Sequence, residues 1–463
     1  MWLEFELKAN SLISLSGILL LAVSTSAFNA QTTERTIYSP DNTVQLVLTF
    51  IEHENGRTEM TYQVSKSGKV VVRTSALALE LDNHFSEWAL AIKNTPTGPW
   101  MENLALKEVQ EFSESTQWKP VYGERSIAKD HYNSMIFAFM QKDNPNYSMN
   151  IEARVYDAGI AFRYRFPDNP IGIYYRIFAE CSEFSFPEDT LAWHTLWAQG
   201  MAEKRTLKDW VHESERRLTL ELANGLYVSL GEAAVVDYLR TKFELSSKKA
   251  DTLVTRMHHP VDLIPGTNTP WRVIMVVETA ALLLANNDIF LNLNEPSKIT
   301  STHWIKPGKI ERDMTLSEEG STAWIDFAAE HNLKYILFDW KWYGPSFTFE
   351  SDASNVAIDL DLKKVIEYGK SKGVGIWVYV NQQALLAQDA EIFPLYKEWG
   401  LAGVKYGFVQ VGSRCRTTWL HDSIQRAAEN ELMVNIHDEF RVTGEQRTWP
   451  NIMTVEGIFE PKR

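Results

Sequence analysis

Between residues 301 and 458 the sequence repeats a strand followed by a helix, at roughly thirty-residue spacing. The predicted strands are the apolar runs 301–305, 334–339, 375–381, 403–408 and 432–436, and the predicted helices are 321–332, 360–372, 389–399 and 417–429. Such units form parallel sheets with right-handed crossovers. Because the strands are apolar on both faces, they favour a (β/α)8 barrel over an antiparallel layer.

The repeat is too short for a closed barrel. Residues 451–455 begin a sixth strand, and the chain stops at Arg463. A barrel of this type closes only with its full set of strands. We therefore predict that residues 291–463 form an incomplete (β/α)8 TIM barrel, truncated after strand five or six.

The preceding part of the chain has a different pattern. A chain of 463 residues is too long for one ordinary core. Residues 33–289 contain short alternating strands between Asn, Gly and Pro turns, including 44–50, 61–64, 70–72 and 161–166. We predict an N-terminal β-sandwich domain over residues 28–290, and hence a multidomain β plus α/β protein.

The first residues resemble a secretory signal. Lys8 precedes an apolar run at residues 12–23, and small side chains follow at 24–27. We predict a signal peptide over residues 1–27 and a periplasmic or secreted protein. A signal anchor is the alternative, because Glu4 and Glu6 weaken the positive charge before the apolar run. No other segment approaches the ~20 apolar residues of a membrane helix, so we expect no stable membrane span after signal removal.

Charge and cysteine content narrow the possible partners. The chain has 46 Lys and Arg residues against 60 Asp and Glu, a net charge of −14. Because nucleic-acid binding depends on neutralising phosphates, we expect no nucleic-acid partner.

Cys181 and Cys415 are far apart, which favours two free thiols over a disulfide, and no Cys/His spacing indicates zinc. We expect a monomer.

Ionisable residues cluster after the strand at 432–436. His437, Asp438 and Glu439 follow it directly, and Glu456 comes after two predicted turns of the chain, at 443–444 and 450–451. Loops at the carboxyl ends of parallel barrel strands converge on one pocket. Two acids there suit glycoside hydrolysis or a hard cation, while N-capping and surface ion pairs are the structural alternative. Arg447 is interpreted as a clamp on the loop carboxylates.

A second group lies in the β region, where Trp193, Trp197, Glu203 and Trp210 form an aromatic-rich segment. The structural interpretation is a sandwich edge. The functional interpretation is a loop that carries Glu203 into the pocket of the neighbouring domain.

Five motifs in order resemble glycoside hydrolase family 97, exported bacterial α-glucosidases and α-galactosidases. They are Trp304-Ile305-Lys306-Pro307-Gly308-Lys309, Phe338-Asp339-Trp340-Lys341-Trp342-Tyr343-Gly344, Gly403-Val404-Lys405-Tyr406-Gly407-Phe408, Thr443-Gly444 with Arg447-Thr448-Trp449-Pro450-Asn451, and Glu456-Gly457-Ile458. The resemblance implies an N-terminal β-sandwich, a catalytic barrel, active-site Ca²⁺ and a C-terminal sandwich. The last is absent from this sequence.

The resemblance also implies roles for single residues, and several positions depart from the family pattern. Retaining members have a nucleophilic Asp at the position of Gly407. Inverting members have glycine there and use Glu bases at the ends of strands three and five, the positions of Asn381 and Asp438. The family's general acid falls on Lys462, which is no carboxylic acid.

The remaining roles follow the same resemblance. The catalytic candidates are Asp438 and its neighbour Glu439. The candidate calcium ligands are Glu203, Asp438 and Glu456. Asp339, Trp340 and His437 are expected to bind the sugar, with a loop cap as the structural alternative for Asp339. His437 is expected also to orient Asp438, or else to be a satisfied buried histidine.

These features together predict a calcium-dependent, inverting glycoside hydrolase acting on α-glucosidic or α-galactosidic bonds of oligosaccharides. The alternatives are a non-catalytic carbohydrate-binding remnant, or the truncated product of a longer gene. Loss of the acid at Lys462, of the third-strand Glu and of half the barrel favours the non-catalytic remnant. The sequence does not distinguish glucose from galactose.

Overall fold

The computed structural model describes residues 31–81, 98–142, 144–170, 173–210, 212–346, 348 and 350–456. The predicted signal peptide and Lys462 lie outside these residues. A mostly β domain is followed by an α/β domain with a parallel sheet, as predicted. Among the described helices, none has the length and apolar character needed to cross a membrane.

The β domain contains twenty of the described strands. In chain order they are β1 (Gln31–Tyr38), β2 (Val44–Glu52), β3 (Thr58–Lys66), β4 (Lys69–Ala76), β5 (Leu79–Leu81), β6 (Gly98–Pro99), β7 (Leu104–Trp118), β8 (Ala128–Gln141), β9 (Ser148–Tyr156), β10 (Gly159–Arg165), β11 (Tyr175–Glu180), β12 (Glu183–Ser185), β13 (Leu191–His194), β14 (Glu203–Thr206), β15 (Leu218–Glu221), β16 (Tyr227–Ala233), β17 (Lys242–Leu245), β18 (Thr252–Arg256), β19 (Val261–Leu263) and β20 (Trp271–Val277).

Two large sheets of this domain share one hydrophobic core. Their strand orders are β1-β2-β3-β4-β12-β18-β17 and β14-β13-β15-β16-β20-β10-β9-β8-β7, and a smaller sheet has the order β19-β11-β5-β6. Buried and partly exposed residues alternate along β2, as its sequence predicts. The rings of Phe50 and Phe139 lie 5.1 Å apart, and those of Tyr62 and Phe162 lie 5.4 Å apart. These aromatic pairs join the two sheets through the core.

A buried ionic network joins the nine-stranded sheet to the small one. Arg272 of β20 donates to both oxygens of Glu180 on β11, at 2.7 and 2.6 Å, and to Glu232 of β16 at 2.9 Å. All three side chains are at most 3% exposed. Removing the guanidinium would leave two buried carboxylates without that partner.

Two short helices follow the last β-domain strand, α1 (Ala280–Ala285) and α2 (Asp288–Asn292). Ile289 and Phe290 of α2 pack against Trp271 on the outer face of the nine-stranded sheet. The described cysteines, Cys181 and Cys415, are free, as predicted, and both are exposed.

The α/β domain has one parallel sheet whose six strands follow one another in chain order. The strands are β21 (Ile310–Asp313), β22 (Tyr335–Phe338), β23 (Gly375–Asn381), β24 (Gly403–Val409), β25 (Met433–Asp438) and β26 (Ile452–Glu456), and the helices are α3 (Glu318–Glu330), α4 (Leu362–Lys372), α5 (Gln382–Trp399) and α6 (Arg414–Glu429). Residues 376–381 of β23 are all buried, which fits a sheet covered on both faces.

The predicted strand at 301–305 is wrong. The first strand is Ile310–Asp313, beyond Pro307 and Gly308, and residues 301–305 form turns and irregular chain. Ile305 is buried nonetheless, and this burial produced the misleading apolar pattern. The true strand is short and largely polar, and among the described strands it pairs only with β22.

The two domains are joined by hydrogen bonds and ion pairs. Arg414 forms a two-pronged ion pair with Asp237, at 3.0 and 2.8 Å, and the amide of Ala234 donates to the Thr443 carbonyl. Arg447 donates to the Asn292 carbonyl at 2.7 Å and lies over the Trp118 ring. The predicted clamp on the loop carboxylates is therefore wrong, because Arg447 fixes its loop to the β domain.

Candidate active site

Polar side chains converge at the carboxyl ends of the parallel strands. Asp339 follows β22, His437 and Asp438 end β25, and Glu456 ends β26. Parallel strands direct these ends to one edge of the sheet. A cavity of about 170 Å³ lies there, lined by Arg312, Asp339, Trp340, Tyr379, Lys405, Phe408, His437 and Glu456.

His437 brings two carboxylates together. Its Nε2 lies 3.3 Å from Asp438 Oδ1 and 3.5 Å from Glu456 Oε1. Its Nδ1 is buried and has no hydrogen-bond partner among the described residues. The interpretation of His437 as an orienting residue is therefore favoured over that of a satisfied buried histidine.

Lys405 neutralises one of these carboxylates. Its Nζ lies 2.6 Å from Glu456 Oε2, and its own side chain is almost fully buried. Burial alone would raise the pKa of Glu456, but the hydrogen bond and charge of Lys405 lower it below the usual range. Glu456 is therefore an anion across the neutral pH range.

Asp438 has a different environment. Burial raises its pKa, although the charge of His437 and a hydrogen bond from Gln199 partly oppose this effect. Gln199 Nε2 donates to Oδ1 at 2.9 Å, while Oδ2 is buried without a hydrogen-bond partner in the described structure. Asp438 also has a φ of 79°, a backbone conformation that non-glycine residues rarely adopt. It caps no described helix, so the capping part of the structural alternative is not supported for this residue.

Glu439 lies outside this cluster. Its side chain is exposed and lines a separate cavity of about 140 Å³ together with Trp197, Gln199, Phe408 and Asp438. Arg240 of the β domain donates to the Glu439 carbonyl, which holds its backbone. Asp438 and Glu439 therefore line the same cavity, which is not the one around Asp339 and Trp340. Of the two, Asp438 is the one that lies beside His437 and within the electrostatic influence of Glu456.

The predicted sugar-binding residues are at the cavity. Asp339 is buried, accepts from the Trp340 amide at 2.8 Å, and lies 3.2 Å from an Arg312 nitrogen. The Trp340 ring lines the same cavity and carries Lys341 Nζ over its face at 4.3 Å. The local amide contact keeps Asp339 fixed at the strand end.

The structure does not place Glu203 with Asp438 and Glu456. Glu203 begins the edge strand β14, where its exposed carboxylate accepts from Arg205 Nε at 2.8 Å. The segment lies at a sheet edge, as the structural interpretation predicted, because β14 is the outermost strand of the nine-stranded sheet. The segment also reaches the neighbouring domain, but through Gln199, which contacts Asp438.

The structure explains two of the positions at which the sequence departs from the family pattern, Asn381 and Gly407. Asn381 is buried as the N-cap of α5, where its side chain accepts from the Ala384 amide at 3.0 Å and donates to Tyr343. The space beside Gly407 is filled by the phenol ring of Tyr379. Neither strand end supplies a carboxylate.

Sequence reasoning did not select Gln199, Lys405 or Tyr379 as site residues. Lys405 was recognisable, because a lysine within the apolar strand Gly403–Val409 needs an anionic partner. Gln199 carried no such signal, since its role depends on how the two domains pack.

The described residues contain no group of three or more His, Cys, Asp or Glu side chains arranged to hold one metal ion. Two other cavities are larger, with volumes of about 660 and 690 Å³. The first is at the domain interface around Trp118 and Arg447. The second lies against the parallel sheet between β21 and β26 and shares Lys405 and Glu456 with the site.

Comparisons with known proteins cover both domains. Residues 37–296 match the family described as glycosyl-hydrolase 97 N-terminal, and residues 302–458 match glycoside hydrolase 97. A retaining alpha-galactosidase of Bacteroides thetaiotaomicron is 23% identical over 96% of this chain and 70% of the relative. A probable retaining alpha-galactosidase of Streptomyces bingchenggensis is 22% identical over 86% of this chain, which spans only 61% of that relative.

Solved structures have the same fold. A glycoside hydrolase family 97 enzyme from Pseudoalteromonas sp. strain K8, in complex with acarbose, has a TM-score of 0.80 and 23% identity, covering 92% of this chain and 69% of that one. A beta-arabinopyranosidase has a TM-score of 0.77 and 17% identity, with 92% and 70% covered.

Proposed function

This chain belongs to glycoside hydrolase family 97, and from that premise we propose that it hydrolyses α-glucosidic or α-galactosidic bonds of oligosaccharides. The predicted α-glycosidase class agrees with the curated relatives, which are named as retaining alpha-galactosidases. The observation that carries the proposal is the convergence of Asp438 and Glu456 on His437, beside a cavity lined by Asp339 and Trp340.

We infer that the six parallel strands are the first six of a (β/α)8 barrel and that the two large sheets of the β domain form a sandwich. The unbroken strand order supports the barrel, because each strand lies next to its successor. The common core of the two large sheets supports the sandwich.

The proposed mechanism is inversion, with Asp438 as the base that takes a proton from the attacking water. Retention needs a nucleophile, and the position that the family resemblance gives for it is Gly407, where Tyr379 leaves no room for a side chain. This proposal differs from the retaining mechanism in the relatives' names. Glu439 is the second candidate base, while His437 orients Asp438 and Asp339 and Trp340 bind the sugar.

We also propose that the site takes Ca²⁺, through Asp438 and Glu456. The buried and unpartnered Oδ2 of Asp438 supports this, since carboxylate oxygens are preferred ligands of hard cations. When bound, the ion would stabilise negative charge in the site. Glu203 is not retained as a ligand because its carboxylate pairs with Arg205.

Calcium is accordingly expected to raise the melting temperature. An ion that binds only the native state stabilises it by RT ln(1 + [L]/Kd), about 2.7 kcal/mol at a hundredfold excess over Kd. Tm is measured with CaCl2 and with EGTA, for the parent chain and for Glu456→Gln. The parent should respond to calcium more strongly than the variant, and equal Tm values in CaCl2 and EGTA would remove the ion from the proposal.

Export to the periplasm or beyond the cell remains a proposal that rests on the apolar run at residues 12–23 and the small residues after it.

The function is tested with p-nitrophenyl α-glucoside, p-nitrophenyl α-galactoside, the corresponding glycosyl fluorides, and maltose. Lys462 lies where the family resemblance puts the acid, so substrates whose leaving group needs no proton should react faster than maltose by about 10²–10⁴-fold. Proton NMR should detect the β-anomer first. Rapid maltose hydrolysis, or the α-anomer first, would contradict the proposed mechanism.

A non-catalytic carbohydrate-binding protein is the second candidate function. The observation that favours it is Asn381, which caps α5 in place of a third-strand base. Binding of sugar with no turnover of any substrate above would select this candidate.

A further inference from the structure

Tyr379 has an unusual position in the parallel sheet. It belongs to β23, and its ring lies against Gly407 of the neighbouring strand β24. A β-carbon at position 407 would overlap Cζ and the hydroxyl oxygen of Tyr379. The glycine is therefore what allows the phenol to reach the cavity that holds Asp339 and Glu456.

The hydroxyl of Tyr379 is buried and has no hydrogen-bond partner among the described residues. Buried polar groups are nearly always satisfied, because an unpaired one costs free energy. Other buried tyrosines of this domain follow that rule: Tyr406 contacts Ser423, and Tyr343 accepts from Asn381. Tyr379 differs from these in lining the cavity.

The surroundings determine the state of this hydroxyl. Burial raises the pKa of Tyr379 strongly, and the nearby Tyr343, Asp339, Asp438 and Glu456 raise it further. The phenol is therefore protonated at every pH at which the protein would act, so it can donate a hydrogen bond but cannot serve as an anionic nucleophile.

We propose that Tyr379 is a substrate-binding and specificity-determining residue, whose hydroxyl donates a hydrogen bond to a hydroxyl oxygen of a hexopyranose ring held in the cavity beside Asp339 and Trp340. The inference rests on the proposed function. A site built to pair with one sugar hydroxyl discriminates strongly against a ligand that lacks it.

The test compares Tyr379→Phe with Tyr406→Phe. Both positions are buried tyrosines of adjacent parallel strands, but the Tyr406 hydroxyl already has Ser423 as its partner. Affinity for 1-deoxynojirimycin and 1-deoxygalactonojirimycin is measured by calorimetry, and Tm is measured without ligand.

For Tyr379→Phe we expect about tenfold weaker binding of the preferred iminosugar, as the loss of one hydrogen bond implies. Its Tm should equal or exceed that of the parent, since no protein partner is lost. Tyr406→Phe should show the opposite pattern, a lower Tm with unchanged affinity.

The outcomes separate the two hypotheses. If the parent binds neither iminosugar and cleaves no aryl α-glycoside, the proposed function fails, and this inference fails with it. If the parent binds and Tyr379→Phe binds equally well, only the role of Tyr379 is overturned. A fall in Tm of Tyr379→Phe as large as that of Tyr406→Phe would also overturn it, because the hydroxyl would then be structural.

Discussion

Replacing Asp438 with asparagine is expected to lower kcat for p-nitrophenyl α-glycosides by about 10²–10⁴-fold, the contribution that general-base catalysis typically makes. The amide has nearly the shape of the carboxylate, and its oxygen can still accept from Gln199. The variant therefore removes the proton acceptor with little change in packing. The measurement is steady-state kinetics on the purified protein, with Tm recorded as a check on folding.

Two further variants sharpen this experiment. Glu439→Gln should cost much less, because Glu439 is exposed and outside the cluster around His437. Asp422→Asn, an exposed acid on α6, should change nothing. If Glu439→Gln proves the more damaging change, Glu439 is the base and the assignment to Asp438 is wrong.

The pH dependence of activity tests the assignment of Asp438 as the base independently. Asp438 acts as a base only when ionised, and burial raises its pKa above the ordinary value of an aspartate. Activity should therefore fall as the pH drops through this raised pKa. Because the charge of His437 lowers the pKa of Asp438, His437→Gln should move the acid limb of kcat/KM to higher pH.

Replacing Arg272 with methionine is expected to destabilise the protein by about 3–5 kcal/mol, the usual cost of leaving buried charges without their partner. Glu180 and Glu232 would both lose the guanidinium that holds them. Methionine keeps much of the side-chain volume, so the loss would be mainly electrostatic. Urea unfolding followed by fluorescence measures the change.

Arg176→Met is the matched control. Arg176 also donates two hydrogen bonds to a carboxylate, that of Asp262, at 2.7 and 3.0 Å. These side chains are 38% and 46% exposed, and such pairs contribute about 0–1 kcal/mol. Similar losses in the two variants would show that burial does not determine the effect of the Arg272 network.

The parallel sheet was predictable because most of its strands and helices have a clear local pattern of apolar residues in the sequence. The strand at 375–381 matches β23 residue for residue, since a continuous apolar run directly after the glycine that ends α4 has few other interpretations. The edge strand β21 was missed because Ile310–Asp313 is short and polar, whereas residues 301–305 have a buried apolar end without being a strand.

In the candidate site, only the residues at the carboxyl ends of the parallel strands were predictable from the sequence. Asp339, His437, Asp438 and Glu456 lie as predicted at that edge of the sheet. Gln199 could not be found in this way, because its contact with Asp438 joins residues 239 positions apart in different domains. The contact between Tyr379 and Gly407 was not predictable either. It depends on a large and a small side chain meeting on adjacent strands, and neither strand's own sequence pattern reveals this.

The contact between Gln199 and Asp438 limits how this architecture can be recombined. A graft of a relative's β domain onto this α/β domain would exchange the amide that fixes Asp438 for whatever side chain that relative has at the same place. The two domains are therefore not interchangeable modules. Changes at residue 199 and at the end of β25 must be compatible. Directed evolution of either domain should therefore vary these two places together.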